Sequence, residues 1–274
     1  MRINHNITNL NNYRNQQLTN NSITKSVNKL SSGMRINTAG DDASGLSISE
    51  KMRGQIRGLE EASKNIDIGI SLIRVADAGL GLISDPNLMR LRELTVQAAS
   101  DTVSDEDRKF IQIEVDEILA GIDELASSTK FQTKDLLNDE NGEFIIQVGP
   151  NAGHQFKIGL TNVTTADEGL KLKPFDVVES HPDYGTLFKK VDYAINHVSS
   201  ERSKFGAYEN VLEHIGSSVK NYQENLIAAE SRLRDVDVAK EVTELTGNQT
   251  ILQAAQAMMV KGNEISEQIL QLLK

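Results

Sequence analysis

The residues best placed to do chemistry lie between two helical stretches, in the segment KLSSGMRINTAGDDASGLSISEKMRG, residues 29–54. This segment contains three glycines, Gly33, Gly40 and Gly45, and two adjacent carboxylates, Asp41 and Asp42. Glycines beside acidic residues occur in phosphate-binding loops, in calcium loops and in joints between helices. The three kinds of site make different demands on the residues around them.

The spacing argues against both ligand-binding loops. A P-loop requires Gly-x-x-x-x-Gly-Lys-Ser/Thr, whereas Gly33 and Gly40 are seven residues apart and are followed by Asp41, which would repel phosphate. An EF-hand requires oxygen ligands at alternating positions, whereas Asp41 and Asp42 are adjacent. We therefore predict that one helix ends at Gly33, that an extended connector follows, and that Asp42 or a neighbour caps the next helix.

No other part of the chain shows an arrangement typical of an active site. The five histidines lack the His-Glu-x-x-His spacing, and there is no cysteine for a disulfide or a Cys-ligated metal. There is no Gly-x-Ser-x-Gly elbow, and an acidic run such as residues 105–107 is typical of a helix start. We predict no catalytic, cofactor-binding or metal-binding residues.

Charge and composition exclude further functional classes. The net charge of −10 argues against nucleic-acid or anionic-membrane binding, because both need a basic face. No apolar run reaches the roughly 18 residues that cross a bilayer, and the first residues, MRINHNITNLNNYRNQQ, lack the apolar region of a secretory signal peptide. Taken alone, these facts favour a cytosolic protein. The low aromatic content, 4%, favours an elongated helical one.

Long amphipathic helices are the elements that must position these residues. Apolar residues recur every seven positions from Val191 to Leu233, with a second row offset by three, as in a coiled-coil-like helix. Similar stripes run over residues 52–80 and 111–125. The last stripe follows the same spacing almost to the final residue and consists of Ile251, Ala255, Met258, Gly262, Ile265, Ile269 and Leu272.

Shorter signals punctuate these helices. Alternating apolar residues over 144–148 and 156–160, separated by a Gly/Pro/Asn turn, predict a β-hairpin, and residues 161–183 are predicted to be loop with at most one further short strand. Ser104 is a predicted helix N-cap. Pro86 predicts a helix break or restart capped by Ser84 or Asp85. Beyond it, Arg90, Leu91 and Leu94 predict an exposed basic and apolar patch, either a solvated face or a protein-binding surface.

Nine asparagines fall within the first thirty residues of the chain. Each asparagine inside a helix costs about 0.6 kcal/mol relative to alanine, or about 5 kcal/mol together. The segment should therefore become helical only when its apolar stripe is buried by partner helices. The sequence predicts folding that is coupled to assembly.

The two ends of the chain resemble the end blocks of bacterial flagellin. The stretch LSSGMRINTAGDDASGLSISEKMRGQIRGLEEASKNIDIGISL is similar to the N-terminal block, and AAESRLRDVDVAKEVTELTGNQTILQAAQAM, residues 228–258, to the C-terminal block. MRLRELTVQA and IQIEVDEI also match. The resemblance covers about residues 1–142 and 185–274 and is greatest to short flagellins without large outer domains. The chain departs from the family at Pro86, at Phe131–Gln132–Thr133 and at Lys274.

The resemblance implies a mainly α, elongated, antiparallel helical rod or coiled coil with a small β-hairpin insertion. Residues 1–46 and 231–274 would form the inner-core helices and a spoke, with Gly40, Asp41 and Asp42 at the spoke joint. Residues 47–230 would form an outer-core rod, with the hairpin at about 140–177. The inner-core assembly stripe would be Ile251, Ala255, Met258, Ile265, Ile269 and Leu272.

The resemblance also implies a function and its partners. The chain would be a non-enzymatic subunit that self-assembles into the extracellular flagellar filament after type III export, with a chaperone at its C-terminal helix. Filament cap and hook-associated proteins would be further partners, and Toll-like receptor 5 would recognise Arg90, Leu94 and Glu114. The alternative is a hook–filament junction protein. A secreted metallopeptidase is disfavoured by the missing His-Glu-x-x-His, and an adhesin by the small middle region.

Overall fold

The computed structural model describes residues 6–139, 142–166, 168–178 and 183–272, the last four of these without their side chains. Six α-helices are found there: α1 (Ile7–Ser32), α2 (Ala43–Leu82), α3 (Met89–Ala98), α4 (Asp105–Ser128), α5 (Tyr184–Arg234) and α6 (Val238–Leu272). The strands are β1 (Lys130–Phe131), β2 (Lys134–Asp135), β3 (Glu143–Gln147) and β4 (Gln155–Gly159). The predicted mainly α fold with a small β-hairpin is confirmed.

The chain divides into two compact units. The first unit contains residues 1–56 and 224–274, and the second contains residues 57–223. The second unit is built around the stripe predicted on α2, because Leu59, Ile66, Ile73 and Leu80 are at most 2% exposed and repeat every seven residues. This repeat turns one side of α2 continuously towards the core.

Helix α5 supplies the opposite wall of the second unit. Its predicted heptad row is buried at Val191, Val198, Phe205, Leu212 and Val219. The helices approach closely where glycine occurs, since a Cβ added to Gly216 would lie 3.4 Å from Cγ2 of Ile66. At the rim, Arg74 Nε donates to Glu209 at 2.7 Å, but this exposed pair contributes less than the buried apolar row.

The helix is interrupted beside Pro86, as predicted. A π-helical turn, Ile83–Leu88, separates α2 from α3, and within it Asp85 has non-helical backbone angles of φ −131° and ψ 117°. The predicted cap is wrong, because α3 begins at Met89 and no side chain caps it. Proline removes a backbone donor and cannot continue the preceding helical turn, which explains the break. Asn87 Nδ2 instead donates to the carbonyl of Leu82 at 3.0 Å.

Helix α4 begins with the predicted Ser104 cap, whose Oγ accepts the Asp107 N–H at 3.2 Å. The same helix is hydrogen-bonded to the irregular segment that follows the hairpin. Gln112 accepts from the Val177 N–H at 2.9 Å and donates to the Phe175 carbonyl at 2.9 Å. Burial of Asp123 favours its neutral form, but hydrogen bonds from Lys173 and Thr165 outweigh this effect and lower its pKa.

The predicted hairpin is present as β3 and β4. They pair antiparallel, with Phe144 opposite Ile158 and Ile146 opposite Phe156. A second hairpin, β1–β2, was not predicted, because strands of two residues carry no alternating pattern. Its loop includes Gln132 at φ 56°, a left-handed position where glycine or asparagine is usual. Within the described part of the 161–183 segment, pairing is limited to a single bridge between Asn138 and Asn162.

None of the described helices combines the length and apolar character that crossing a membrane requires.

The burial of Ile66 gives a direct test of the second unit. Ile66→Ala should lower the free energy of unfolding by about 2–5 kcal/mol, because it deletes buried methyl groups and leaves a cavity. Ile68, two residues away, is 52% exposed. Ile68→Ala is therefore the matched control and should cost less than about 1 kcal/mol. Denaturant unfolding of the monomer measures both, and equal losses would contradict this core.

Candidate assembly interface

The two helices of the first unit, α1 and α6, pack antiparallel to each other. Contacts at both ends of the pair show this, because Asn6 reaches Ser266 at 2.9 Å whereas Lys29 reaches Glu241 at 3.7 Å. We call the side chains that are buried or half-buried between the two helices the seam. On α1 the seam consists of Asn9, Asn12, Gln16, Thr19, Ile23, Ser26, Lys29 and Leu30, and on α6 of Glu241, Leu245, Asn248, Leu252, Ala255, Met259, Gly262 and Ser266.

The seam has heptad spacing but an unusual composition. Steps of three and four residues are those of a coiled coil, whose seam positions are normally apolar. Here most of the α1 positions carry amides, hydroxyls or a charge. These polar positions bury little apolar surface, so the large apolar contacts of the seam are limited to Ile23 and Leu30 on α1 and Leu245, Leu252 and Met259 on α6.

Most of the larger apolar side chains of the pair face away from the seam. We call them the outer rows, and they consist of Ile7, Leu10, Tyr13, Leu18 and Val27 on α1 and of Val238, Val242, Ile251, Met258, Val260 and Ile265 on α6. Their exposures run from 44% for Val242 to 69% for Leu10. Exposed large apolar side chains in this number mark a site of protein association.

The predicted C-terminal stripe is divided between these two surfaces. Ile251, Met258 and Ile265 belong to the outer row, where each is at least 50% exposed. Ala255 and Gly262 belong to the seam. The side chains of Ile269 and Leu272 lie outside the described residues. The stripe therefore follows one edge of the helix pair, with its small members facing inward and its large members facing outward.

Gly33 to Asp42 form the connector that follows α1. Gly33 ends α1 in the left-handed conformation, φ 69°, which confirms the predicted helix stop. Backbone hydrogen bonds then tie the connector to the end of α5: the Arg35 N–H donates to the Arg234 carbonyl at 2.6 Å, and the Val236 N–H to the Gly33 carbonyl at 3.0 Å. These hydrogen bonds hold the start of the connector alongside the short segment that joins α5 to α6.

The acidic pair in the connector serves the backbone. Asp41 Oδ2 accepts from the N–H groups of Asn37 and Thr38 at 3.2 and 3.0 Å. These hydrogen bonds lower the pKa of Asp41 below its ordinary value of 3.8, and the bond from the Thr38 N–H has the largest effect. Asp42 Oδ1 accepts from the Gly45 N–H at 2.9 Å, which is the predicted helix cap.

Glycine is required at Gly33 in this connector and at Gly45 in the first turn of α2, rather than at Gly40. A Cβ added to Gly45 would overlap Asp42 and would lie 2.8 Å from Ile36 Cδ1. A Cβ added to Gly40 would meet Thr38 Oγ1 at 3.7 Å, an ordinary contact. Glycine is favoured at Gly33 by the left-handed backbone conformation and at Gly45 by the lack of space for a side chain.

A buried arginine, Arg234, lies beside the connector and accepts a hydrogen bond from it through its backbone carbonyl. Arg234 is 7% exposed, and its Nη1 donates to Glu50 at 2.8 Å and to Ser49 at 3.2 Å. Ser49 in turn donates to Glu230 at 3.1 Å. Because a buried guanidinium without partners would be costly, this network requires that α2 begin beside the end of α5.

The predicted patch on α3 is only partly exposed. Arg90 Nε donates to Glu114 on α4 at 2.7 Å, and both side chains lie on the surface of the second unit. Leu91 and Leu94 are 0% and 1% exposed, so the apolar part of the predicted exposed patch is wrong. These leucines lie on the side of α3 that packs into the core. The large apolar side chains exposed on these two helices are instead Met89, Val96, Phe110 and Ile113.

No three His, Asp or Glu side chains of the described ranges come together as a metal-binding group. Gly262 was predicted to lie on an apolar stripe, but the contacts of Gly262 and Asn263 with Asn9 were not predicted. The signal was available for α1, where polar residues at positions 9, 12, 16 and 19 already have heptad spacing. Polar residues at such spacing are ordinarily assigned to a solvated face, which is why an apolar criterion does not find them.

Comparison with known proteins identifies relatives over nearly all of the chain. The model of the bacterial flagellin N-terminal helical region matches residues 3–142, and that of the C-terminal helical region matches residues 188–273. The flagellin of Halalkalibacterium halodurans is 41% identical over the full length of both chains.

Solved structures agree with this result. The crystal structure of Bacillus cereus flagellin aligns with a TM-score of 0.50 at 27% identity, covering 61% of this chain and 94% of that one. A putative flagellar hook-associated protein from Vibrio parahaemolyticus aligns with a TM-score of 0.61, covering 71% of this chain and 100% of that one. Its identity is 12%, so this likeness concerns the fold alone.

The Asp41 hydrogen bonds predict how the connector responds to pH. A carboxylate whose pKa is lowered on folding stabilises the fold above its unfolded pKa, and that stabilisation is lost as the pH falls through the folded pKa. The amide resonances of Asn37 and Thr38 should therefore shift in a transition centred below pH 3.8. Asp41→Asn should abolish the transition in the same NMR titration. A midpoint above 3.8 would contradict the hydrogen-bonding pattern.

Proposed function

Because this chain belongs to the bacterial flagellin family, we propose that the outer rows of α1 and α6 are the surface through which its copies join in the flagellar filament. Flagellins self-assemble into the filament used for swimming motility, so the chain is a structural subunit of that filament and not an enzyme. Flagellin homologues form the extracellular flagellar filament. The proposal concerns which residues of this chain carry that assembly.

The single observation that carries the proposal is the reversed polarity of the α1–α6 pair. Its seam holds mainly polar and small side chains, with five large apolar ones among sixteen, whereas eleven large apolar side chains of the pair are exposed. Completing the burial of a half-exposed isoleucine or methionine contributes about 1 kcal/mol, so several such residues offset the asparagine cost of about 5 kcal/mol in α1. Only other copies of the chain can supply that burial repeatedly along a polymer.

The domain division follows from the same premise. We propose that residues 1–46 and 231–274 form the inner core of the filament and residues 47–230 its outer core. Gly40, Asp41 and Asp42 would form the joint between them. The hydrogen bonds of Asp41 and Asp42 support this role, because they give the connector a defined backbone conformation without a hydrophobic core.

Before assembly, the α6 outer row would need a temporary cover. Ile251, Met258 and Ile265 are each at least 50% exposed and would promote aggregation of the free chain. We propose that an export chaperone covers this surface before type III secretion. The filament cap and hook-associated proteins would contact the same ends of the chain during and after assembly. The alternative identity, a hook–filament junction protein, gains no support, because the Vibrio likeness concerns the fold alone.

The surface of α3 and α4 is the proposed site for Toll-like receptor 5. Arg90 and Glu114 form an exposed ion pair there, with side-chain exposures of 47% and 45%. The buried Leu94 would act indirectly, by holding α3 against the core beneath Arg90. A charged pair surrounded by exposed apolar residues such as Phe110 is the composition expected of a binding hot spot.

Removal of residues 262–274 tests the assembly proposal. The truncated protein should keep its second unit folded, by circular dichroism, but should form no long filaments when salt or filament seeds are added. Met258→Ser should reduce the filament yield for the same reason, because it removes one exposed apolar side chain. Gln256→Ser changes an exposed polar neighbour and is the control. Electron microscopy of the four proteins decides, and normal filaments from the truncated chain would refute the proposal.

The receptor proposal has its own test. Arg90→Ala and Glu114→Ala should each lower the response of Toll-like receptor 5 reporter cells by about tenfold or more, the loss typical of a central interface residue. Arg92 provides the control, since it is also exposed and paired, with Asp192 at 2.7 Å. Arg92→Ala should leave the response unchanged. Equal responses from all three variants would remove Arg90 and Glu114 from the recognition site.

A further inference from the structure

We propose that Asn9 and Gly262 determine the register in which α1 pairs with α6, and that copies of the chain can join only in this register. The inference rests on the proposed role of the outer rows in assembly. It assigns a specificity role to two residues that lie in the seam and not in the outer rows.

The first observation is a set of side-chain contacts at one end of the seam. Asn9, which is 9% exposed, donates from Nδ2 to the Met259 carbonyl at 3.3 Å and to Asn263 Oδ1. Asn6 Nδ2 donates to Ser266 Oγ at 2.9 Å. These bonds join residues about one helical turn apart on each helix, and they depend on direction and distance in a way that apolar contacts do not.

The second observation is the space at Gly262. A Cβ added to Gly262 would overlap the Asn9 amide group, chiefly its Oδ1. That oxygen is buried and receives no hydrogen bond from the described residues. It therefore lies along a Cα–H bond of Gly262, a weak contact that only glycine permits at this distance. Any side chain at position 262 would force the Asn9 amide out of the seam.

Two other contacts also depend on the register: Asn6 with Ser266 at the same end of the seam, and the Gly33 carbonyl with the Val236 N–H just before α6. The remaining contacts of the seam discriminate less between registers. Along α6 one seam row reads Leu245, Leu252, Met259, Ser266, so a slip by one heptad puts Leu252 in the place of Met259 and Leu245 in the place of Leu252. Such a slip displaces one helix by about 10.5 Å along the other, at 1.5 Å per residue. At the far end Lys29 and Glu241 are 3.7 Å apart, an interaction that a flexible lysine can make in several positions.

The second α6 row is where a slip is penalised. It reads Glu241, Asn248, Ala255, Gly262, so moving α6 by one heptad brings Ala255 opposite Asn9 in place of Gly262. The Ala255 methyl group would then occupy the position of the Asn9 amide. A single buried asparagine fixes the register of coiled coils in the same way, because its hydrogen bonds are available in one alignment only.

The register matters for assembly because it sets the axial position of the α1 outer row relative to the α6 outer row. In the observed register Leu10 on α1 lies near the height of Gly262, between Met258 and Ile265 on α6. A slipped pair would present Leu10 about one heptad away from that position. Each copy in a filament must offer the same surface to its neighbours, so a slipped copy could not join the lattice.

Cysteine cross-linking can read the register, because the chain has no cysteine of its own. Interpolating between the Asn9–Asn263 and Lys29–Glu241 contacts places Gln16 opposite Ala255. Gln16→Cys with Ala255→Cys should therefore form an intrachain disulfide in seeded polymer of the full chain. Gln16→Cys with Asn248→Cys would report a slip of one heptad and should not cross-link. Disulfides between different chains run as dimers on gels and are scored separately.

Four variants in these cysteine backgrounds complete the experiment. Gly262→Ala should lower the polymer yield by about tenfold or more, while Gly247→Ala, where an added Cβ meets nothing within 4 Å, should leave it unchanged. Asn9→Ala should polymerise, but the 16–248 cross-link should rise at least about fivefold because the register is no longer specified. The double variant Asn9→Ala with Gly262→Ala should recover polymer yield, since the added methyl group then has space.

Three outcomes would overturn the proposal. The first is normal polymer from Gly262→Ala carrying only the 16–255 cross-link. The second is an Asn9→Ala polymer with no slipped cross-link, and the third is a double variant that polymerises no better than Gly262→Ala alone. Failure of the underlying assembly proposal is distinguishable, because it appears as filaments from the chain that lacks residues 262–274, whatever the register result.

Discussion

Two paired helices stabilise each other only through the side chains that they turn towards each other, and in α1 and α6 those side chains are mainly polar or small. The seam includes Asn9, Gln16 and Gly262, while Leu10, Met258 and Ile265 face outward. Little apolar surface is therefore buried between α1 and α6 of the same chain. The same sequence retains ample apolar surface for burial between chains. The distribution of polarity around this pair is what makes the first unit an assembly element and not a self-sufficient domain.

The second unit shows the opposite distribution. Its helices α2 and α5 turn their heptad rows inward, so that Ile66, Leu80 and Phe205 are almost completely buried within one copy. Burial of this extent stabilises a fold without partners. The two units therefore have different requirements: the second should fold alone, and the first depends on neighbours. A filament subunit that is exported before it assembles benefits from keeping these two requirements in different parts of one chain.

Polar groups carry the specificity in both places where apolar packing cannot. In the connector, Asp41 and Asp42 bind backbone N–H groups, and Arg234 holds the start of α2 near the end of α5. In the seam, the amide of Asn9 fits the space left by Gly262. Hydrogen bonds contribute about 1 kcal/mol each, but an unmet buried donor or acceptor costs more, so the correct arrangement is favoured chiefly by the penalty on the others.

The sequence by itself determined the features that depend on near neighbours along the chain. The helix stop at Gly33, the caps at Asp42 and Ser104, the break at Pro86 and the inward rows of α2 and α5 all follow from spacings of a few residues. The family resemblance, which rests on long matching blocks, was equally accessible. These features were predicted because helix periodicity and capping are local properties of a polypeptide.

Only the tertiary structure decided which face of each amphipathic helix meets a partner. The apolar stripe on α6 could not show that Ala255 faces inward while Met258 faces outward, and the pattern around Arg90 could not show that Leu94 is buried. The contact of Asn9 with the Met259 carbonyl joins residues 250 positions apart. Such contacts depend on the relative rotation and axial position of two helices, which neither helix specifies alone.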